Sequence, residues 1–426
     1  MIAASAITLG AAPPPPAATP PPAADTLTMV TRPRLDDSVR SIGTCETGAK
    51  EKAPLRFGFA HVNDLQARYG EILGGRSRYS YIAGYVNELK KTQPTLVLDA
   101  GDDYEKGSIA ELRSMGETTR QIIQALPIDV RTIGNHDFAY GEVAVLRDVR
   151  LSRHPVLAAN VKHNALPPAK QPFRPYARFD VGCVKVGVIG LVTQNFGADD
   201  QPTSAPFDGV FIQDDHYQAI LERESKAHRA EVDVLIALTH LGYADDLALA
   251  HRGGRFVDLI IGAHTEDLLK EPTIIPHPDN TKTYVFQAGH FGETFGKGDV
   301  VVSWNKSGDR KVTIEKYKIV TVDESLPHDD AVGDLVKRLE DAVVPDAHAP
   351  IGKIGSPVKQ GKALDDLVYR AAASTWNIDA LVIGRDLFWA GLPKGELTLQ
   401  RMYDAVLVQR QPSGTSGFSS IWIAEL

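Results

Sequence analysis

The sequence has few cysteines, and it has no long hydrophobic run. Two cysteines in 426 residues exclude a zinc site built from thiolates alone. No apolar stretch reaches the roughly 18 residues that a membrane-spanning helix requires, so we expect no membrane span. Acidic residues outnumber basic ones (54 against 46), and the net charge of −8 argues against nucleic acid as a partner.

The rest of the composition is that of an ordinary globular protein, with 43% hydrophobic and 23% charged residues. The length predicts two or three domains. Between residues 54 and 322, apolar strands alternate with helical stretches at Ser80–Lys91, Thr118–Leu126 and Asp215–Ala230. This alternation predicts a layered α/β domain with much parallel strand pairing. The chain is therefore divided into a leader and linker (1–53), the layered α/β domain (54–322), a linker helix (323–349) and a smaller α/β domain (350–426).

The first residues differ from the rest of the chain. Residues 1–12 are small and apolar, and a stretch rich in proline and alanine follows up to Ala24. This pattern is typical of the end of a secretory signal followed by an extended linker, although the basic start of a signal is absent. We therefore expect a periplasmic or secreted protein, and a cytoplasmic one if the leader is not a signal.

Cys45 and Cys183 are the only cysteines. Cys183 lies in the apolar segment Val181–Ile189, which predicts the entry into a hairpin. A disulfide between the two cysteines is compatible with export, but two separate thiols are the favoured interpretation.

Five apolar runs end in residues of the types that bind metals. The endings are Asn63–Gln66, Asp99–Asp102, Gly134–Asp137, Thr239–His240 and Gly262–Glu266. In sheets with helical crossovers, ligands bind beyond the carboxyl ends of the strands. We therefore expect the five endings to converge on one rim, where they supply enough oxygen and nitrogen ligands for two metal ions.

Two metal ions account for the residue types, because a pair of cations can clamp a phosphoryl group and activate water near neutral pH. Asp102 is the candidate for the bridging ligand, since a Gly-Asp turn leaves its carboxylate accessible. The other ligands divide by chemistry into His240, His264 and Asn135 for one ion, and Asp64, Gln66 and Glu266, all oxygen donors, for the other.

The motifs that carry these residues resemble those of the calcineurin-like metallophosphoesterases, and more narrowly the bacterial 5′-nucleotidase family. The matching segments are His61–Gln66, Leu98–Asp102, Thr132–Asp137, Thr239–His240 and Gly262–His264. The resemblance implies a four-layer αββα sandwich, a dinuclear metal site with the same seven ligands, and a small-molecule phosphoester substrate, with a nucleotide favoured. It also makes His136 the catalytic histidine, and it lets Asn135 contact the phosphoryl group.

Two departures from the family pattern change the first metal site. Gln66 stands where the family usually has histidine, and Glu266 stands where it usually has a neutral or imidazole ligand. The first site then has oxygen donors only, which favours manganese or magnesium. Zinc, manganese or iron suits the histidine-containing site.

A third departure concerns the partner of His136. The family usually places an aspartate three residues after this histidine, but the position holds Ala139. The segment Gly101–Gly107 has the spacing of a loop in protein-phosphatase relatives, in which an acid pairs with the catalytic histidine. Glu105 is therefore the candidate partner of His136. Alternatively, Glu105 is a solvated loop carboxylate and His136 works alone.

The tail departs further from the family, whose C-terminal domain is about twice as long and carries an Asn-x-Gly-Gly-x-Arg segment. That segment falls on Gly384–Trp389, without the paired glycines and the arginine. The tail is thus interpreted as a partial C-terminal domain. Arg385 and Phe388 are candidate substrate-binding residues, or alternatively packing and surface residues. Either the gene is truncated or the substrate is not a nucleotide.

Three functions are consistent with the sequence. The leading hypothesis is a metal-dependent, 5′-nucleotidase-like hydrolase of phosphoric monoesters. The second is a related hydrolase of a non-nucleotide phosphoester or a sulfur ester. The third is a non-catalytic binding protein with a degenerate site, and the complete ligand set of the second ion argues against it. The sequence does not indicate the oligomeric state.

Overall fold

The structure is a computed structural model. It describes residues 39–45, 54–105, 107–193, 210–252, 256–375, 390–405, 408–410 and 416–418. Arg385 and Phe388 lie outside the described residues, as do the leader and most of the linker.

The described strands fall into two large sheets and four short pairs. In chain order they are β1 (Arg40–Ile42), β2 (Leu55–Val62), β3 (Ile72–Leu73), β4 (Arg76–Ser77), β5 (Thr95–Asp99), β6 (Val130–Thr132), β7 (Val156–Leu157), β8 (Val161–His163), β9 (Tyr176–Val181), β10 (Val184–Val192), β11 (Phe211–Gln213), β12 (Val234–His240), β13 (Leu259–Ile261), β14 (Thr273–Pro276), β15 (Lys282–Phe286), β16 (Thr294–Trp304), β17 (Arg310–Thr321), β18 (Pro350–Ile354), β19 (Gly395–Thr398), β20 (Val408–Arg410) and β21 (Ser416–Phe418).

The described α-helices surround the large sheets or belong to the C-terminal part. In chain order they are α1 (Arg78–Thr92), α2 (Ile109–Ser114), α3 (Glu117–Ile123), α4 (Gly141–Leu151), α5 (Tyr217–His228), α6 (Tyr243–Arg252), α7 (Asp330–Val343), α8 (Lys362–Thr375) and α9 (Leu399–Ala405). Short 3₁₀ turns occupy Arg68–Gly70, His136–Phe138, Pro168–Lys170 and Arg229–Glu231.

The two large sheets lie face to face. One has the strand order β1-β9-β10-β12-β13-β15-β14 and the other β17-β16-β2-β5-β6-β7. Strands β2, β5 and β6 run parallel in one sheet, and β10, β12 and β13 run parallel in the other. Their carboxyl ends, which carry the predicted ligands, therefore lie at the same rim of each sheet.

A shared hydrophobic core joins the sheets. Phe57 and Leu98 of the six-stranded sheet pack in one cluster with Val188, Ile236 and Ile261 of the seven-stranded sheet. Alternate side chains of a strand point to opposite faces, so the remaining apolar residues face outward and need covering. These parallel strands are buried on both faces, which is why they read as continuous apolar runs in the sequence.

Helices cover both outer faces. Val97 of the six-stranded sheet packs with Ile82 of α1 and Val336 of α7. Leu235 of the seven-stranded sheet packs with Leu221 of α5. The layers are thus helix, sheet, sheet and helix, which confirms the predicted αββα sandwich.

Helix α7 begins where a side chain caps it. The carboxylate of Asp329 accepts a hydrogen bond from the backbone N–H of Val332 (3.2 Å), so the helix starts at Asp330. Its buried residues Val332, Val336 and Glu340 recur every four positions and form one face. This face turns α7 toward α1, α2 and α3, so the predicted linker helix packs against the sandwich.

The cysteines correct a prediction made from the sequence. Cys45 and Cys183 form a disulfide, with their Cα atoms 4.6 Å apart, although separate thiols were favoured. Cys183 lies in the turn of the hairpin between β9 and β10, as predicted, and β1 pairs in parallel with β9. This pairing brings Cys45, which follows β1, to the hairpin turn across 138 residues of sequence.

The C-terminal part is a small α/β unit. Strands β18 and β19 pair antiparallel, and helices α8 and α9 pack with them around Ile354, Leu364, Leu392 and Ala405. Among the described residues, no helix combines the length and apolar character needed to cross a bilayer.

Candidate metal centre

The structure brings seven predicted ligands and the predicted catalytic pair to one rim of the sandwich. We call Asn135, His240 and His264 the imidazole group, and Asp64, Gln66 and Glu266 the oxygen group, with Asp102 between them. Each ligand lies in a loop that follows β2, β5, β6 or β13, or at the end of β12. The predicted convergence of strand ends therefore extends across both sheets.

The imidazole group is compact. Donor atoms of Asp102, His240 and His264 lie within 4.8 Å of one another. Nε2 of His240 is 3.1 Å from Oδ2 of Asp102, and Nδ1 of His264 is 3.0 Å from Oδ1 of Asn135. Nδ1 of His240 lies 2.8 Å from the carbonyl oxygen of Ala100. A carbonyl only accepts hydrogen bonds, so Nδ1 donates to it, and Nε2 is the nitrogen available to a metal ion.

The oxygen group is held differently. Nε2 of Gln66 donates to Oε1 of Glu266 (3.2 Å), while the buried Oε1 of Gln66 has no hydrogen-bond partner among the described residues. The backbone N–H of His264 donates to Oδ2 of Asp64 (3.2 Å), and Nδ2 of Asn63 donates to the same oxygen (2.7 Å). The Gln66 oxygen is thus a buried acceptor at the site, as a cation would require.

The charges of the site match bound cations. Burial raises the pKa of Asp64 to about 7, and the neighbouring carboxylates of Asp102 and Glu266 add to this effect. Burial also acts to raise the pKa of Asp102, but the imidazoles of His240 and His136 outweigh it and lower that pKa. Burial acts to lower the pKa of His240, but Asp102 outweighs it and raises the pKa to about 10. Among these carboxylates Asp64 thus tends to hold a proton in the metal-free fold, and a cation would replace that proton, so the donor set fits divalent ions.

His136 and Glu105 form a close pair. Nδ1 of His136 lies 2.5 Å from Oε2 of Glu105, and Ala139 supplies no carboxylate. The backbone N–H of His136 donates to Oδ1 of Asp102 (2.8 Å), which ties the histidine to the predicted bridging ligand. The backbone N–H of Glu105 donates to the buried carboxylate of Glu111 (2.8 Å). Glu105 is therefore fixed in place, and it is 3% exposed rather than a solvated loop residue.

Many site residues have the left-handed backbone conformation, which is uncommon for residues other than glycine. Positive φ angles between 43° and 79° occur at Asp64, Gln66, Asp102, Glu105, His264 and Glu266. Such conformations cost free energy and persist where the surrounding structure imposes them. They turn consecutive side chains of each loop toward the rim, and no residue type in the sequence signals them.

Asp137 fixes the backbone beneath the site. Its carboxylate accepts hydrogen bonds from the N–H groups of Asp102 (2.8 Å), Asp103 (3.3 Å) and Gly134 (2.5 Å). The fully buried guanidinium of Arg131 lies 3.4 Å from Asp137 and 2.7 Å from Asp103. Sequence reasoning missed this arginine, because a single basic residue in a buried strand carries no signal of its own.

His290 also reaches the oxygen group. Its Nδ1 lies 2.9 Å from Oε2 of Glu266, and its ring packs on that of Phe291. The Glu266 carboxylate at this distance raises the pKa of His290. A partly exposed imidazole next to the predicted ligand thus offsets the negative charge of Glu266.

The protein is thus an αββα sandwich of two sheets between helices. Carboxylate, amide and imidazole side chains gather beyond its strand ends, and these are the side chains that bind metal ions. The family model described as calcineurin-like phosphoesterase matches residues 57–266. The chain therefore carries a calcineurin-like phosphoesterase domain, and the matched residues include all seven predicted ligands.

Comparisons with individual proteins agree with this assignment. The chain is 28% identical to an apyrase of Tabanus yao over 263 residues, which are 55% of this chain and 46% of the apyrase. It is also 28% identical to a 5′-nucleotidase of Diplobatis ommata over 289 residues, 60% of this chain and 49% of that protein. The chain thus spans about half the length of these curated relatives.

The fold also matches a solved structure. The 5′-nucleotidase precursor from Thermus thermophilus superposes with a TM-score of 0.66 at 22% sequence identity. The match covers 83% of this chain and 74% of that one. It extends beyond the phosphoesterase domain and is a likeness of fold.

Proposed function

We propose that the protein is a metal-dependent hydrolase of phosphoric monoesters, with nucleotides as substrates. The observation that carries the proposal is the meeting of Asp102, His240 and His264 with the His136–Glu105 pair at one rim. This set combines ligands for a cation with a positioned acid–base group. The names of the relatives, apyrase and 5′-nucleotidase, support a nucleotide substrate.

Two divalent ions fit the donors. Asn135, His240 and His264 would hold one ion, Asp64, Gln66 and Glu266 the other, and Asp102 would contact both. Bound divalent ions would polarise the phosphoryl oxygens and lower the pKa of a coordinated water. The oxygen group lacks imidazole donors, so we propose manganese or magnesium there, and zinc, manganese or iron at the imidazole group.

His136 is the proposed acid that protonates the leaving oxygen. Glu105 holds its Nδ1, so Nε2 is the nitrogen that faces the rim, 4.0 Å from Oδ2 of Asp102. A carboxylate at Nδ1 fixes the ring orientation and stabilises the protonated imidazole. Asn135 is proposed to contact the phosphoryl group through its amide, in addition to its role as a ligand.

We also propose that the protein works in an oxidising compartment, the periplasm or the exterior of the cell. The disulfide between Cys45 and Cys183 supports this location, since such bonds persist outside the reducing cytosol. Detection of the oxidised cysteines in protein isolated from the periplasmic fraction would test it, and exclusively reduced cysteines in a cytosolic fraction would contradict it.

Phosphate release by the purified protein tests the activity. The assay compares manganese, magnesium, zinc and no added metal on 5′-nucleotides, 2′,3′-cyclic nucleotides and an aryl phosphate. We expect metal-dependent release from nucleotides, reduced about 10²–10⁴-fold in His136→Asn. His216→Asn is the matched control, because His216 is an exposed histidine that contacts Asp214.

Two outcomes would contradict the proposal in different ways. Turnover of the aryl phosphate alone would show that the chemistry operates without nucleotide recognition, as in the related-hydrolase hypothesis. Absence of turnover with two ions bound would favour the non-catalytic binding protein.

A further inference from the structure

Helix α9, in the C-terminal part, reaches the loop between Asp102 and α2 through Gln400. The Gln400 residue is 2% exposed. Its Oε1 accepts a hydrogen bond from the backbone N–H of Ile109 (3.1 Å), and its Nε2 donates to the carbonyl of Gly107 (2.9 Å). Ile109 is the first residue of α2, where an N–H has no partner inside the helix. Gln400 supplies that partner and fixes the backbone of the loop.

The same helix also contacts the loop that follows β2. Oδ1 of Asp404 accepts a hydrogen bond from Nε2 of Gln400 (2.7 Å) and lies 3.4 Å from Nη1 of Arg68. Arg68 follows Gln66 by two residues, and its guanidinium lies over the ring of Phe291, 4.4 Å from the centroid. Helix α9 is therefore linked to the loops of both Asp102 and the oxygen group.

These two loops are also bonded to each other. The N–H of Gln66 donates to the carbonyl of Asp102 (2.8 Å), and the N–H of Ala67 donates to the carbonyl of Asp103 (2.8 Å). A Cβ on Gly107 would lie 2.1 Å from the backbone of Ala67, so the loops touch directly. A displacement of one loop would therefore move ligands in the other.

Gln400 and Glu340 pack closely against Gly70, where a side chain would displace them. A Cβ at this position would lie 2.8 Å from Oε1 of Glu340 and 3.3 Å from Cδ of Gln400. Glu340, at the end of α7, in turn lies 3.3 Å from the hydroxyl of Ser108. The contact of Gln400 is thus part of a buried polar junction between the C-terminal helices and the ligand loops.

We propose that Gln400 is a positioning residue for the metal centre. Through the backbone of Gly107 and Ile109 it holds the loop that carries Asp102 and Glu105, and so it sets the affinity for divalent ions. The inference rests on the proposed function only in assuming a divalent-ion site. Groups that orient metal ligands from outside the coordination shell typically change metal affinity by about 10–100-fold.

Manganese binding to the full-length, metal-stripped protein tests this role without turnover. Titration calorimetry is expected to give a Kd roughly 10–100-fold higher in Gln400→Ala than in the unmutated protein. The melting temperature of each metal-free protein is measured in parallel, because a purely structural role would lower it and leave the Kd unchanged. Gln218→Ala is the matched control, since this glutamine donates to the Arg252 carbonyl (3.3 Å) on the exposed surface of α5. An unchanged Kd in Gln400→Ala overturns the proposal.

If Gln400→Ala does not fold, a second variant and a measurement on the unmutated protein still test the proposal. Gln400→Glu keeps an acceptor for the Ile109 N–H, but it replaces the donor to Gly107 and Asp404 with a carboxylate oxygen that repels both. A Kd raised at least as much as in Gln400→Ala is expected, and a Kd equal to that of the unmutated protein overturns the proposal. Hydrogen exchange at the Ile109 amide of the unmutated protein is expected to be slow, and fast exchange overturns the contact itself. If the Gln400 variants bind manganese more weakly but the unmutated protein releases no phosphate, the proposed function is overturned and the positioning role is supported.

Discussion

The two ligand groups of the metal centre are built by different means. In the imidazole group, the carbonyl of Ala100 orients the ring of His240, and donor atoms of His240 and His264 already lie within 4.8 Å of each other and of Asp102. In the oxygen group, left-handed backbone conformations aim Asp64, Gln66 and Glu266, and the Gln66 amide nitrogen rests against Glu266. Hydrogen bonds to both imidazole rings thus hold the imidazole group, in which only His264 is left-handed, whereas all three members of the oxygen group have left-handed backbone.

Loss of a ligand from the imidazole group should have the largest effect. His240→Ala removes a buried ligand and the partner of Asp102, so we expect hydrolysis to fall at least about 10³-fold. The measurement is kcat with manganese, together with metal content by mass spectrometry. His251→Ala, a histidine on the exposed end of α6, is the control and should match the unmutated protein. Equal losses in both variants would contradict a special role for His240.

Glu105→Gln should distinguish the role of the ligand groups, which is metal binding, from that of the proposed acid His136, which is catalysis. The variant keeps the size of the side chain and removes the charge that orients His136, so we expect kcat to fall roughly 10–100-fold. Manganese Kd should stay unchanged, because Glu105 belongs to neither group.

A matched pair elsewhere in the chain controls this experiment. Oε1 of Glu142 lies 2.8 Å from Nε2 of His163, and neither residue contacts a predicted ligand in the described hydrogen bonds, so Glu142→Gln should leave kcat unaltered. An unaltered kcat in Glu105→Gln, with His136→Asn inactive, would show that His136 acts without Glu105.

Gln66→His should make the metal preference of the oxygen group more like that of the imidazole group. An imidazole at this position adds a nitrogen donor to the oxygen group, and nitrogen favours zinc over manganese. We expect the ratio of zinc affinity to manganese affinity to rise about tenfold. Competition titration of the unmutated protein and the variant measures it, with Gln218→His as the surface control. An unchanged ratio would mean that position 66 contributes no ligand.

Acidic pH should weaken the binding of manganese at the oxygen group. Burial raises the pKa of Asp64 to about 7 in the metal-free fold, so the folded protein binds this proton more tightly than the unfolded chain does. On this account the metal-free fold loses stability as pH rises from about 4 to 7, and manganese must displace the proton below pH 7. We expect the manganese Kd to rise at most about tenfold per pH unit below 7. Titrations at three pH values would test this, and Asp64→Asn should flatten the profile.

The alternation of strands and helices predicted a layered α/β domain, and the resemblance to the metallophosphoesterases added the four layers. Strand direction predicted that the candidate ligands meet at one rim. Apolar runs mark β2, β5, β6, β12 and β13, and the residues after them must meet wherever parallel strands end together. The approach of Glu105 to His136 was also predicted, from the spacing of a related loop. Backbone conformation was not, since φ at Asp64 or Glu266 depends on packing around the loop rather than on residue type.

Contacts between segments that are distant in the sequence were also not predicted. Cys45 and Cys183 are 138 residues apart, and only the parallel pairing of β1 with β9 brings them together. Gln400 likewise lies 293 residues from Gly107, its partner. Neither pairing leaves a periodic pattern in one sequence, so neither could be derived from local propensity.

Gly134 determines how closely two of the proposed ligands can approach each other. A Cβ at this position would lie 2.1 Å from Oδ1 of Asp102 and 2.6 Å from Cε1 of His240. A single methyl group would thus occupy the space in which the two side chains approach each other. The close approach of these two side chains therefore depends on the absence of any side chain at position 134.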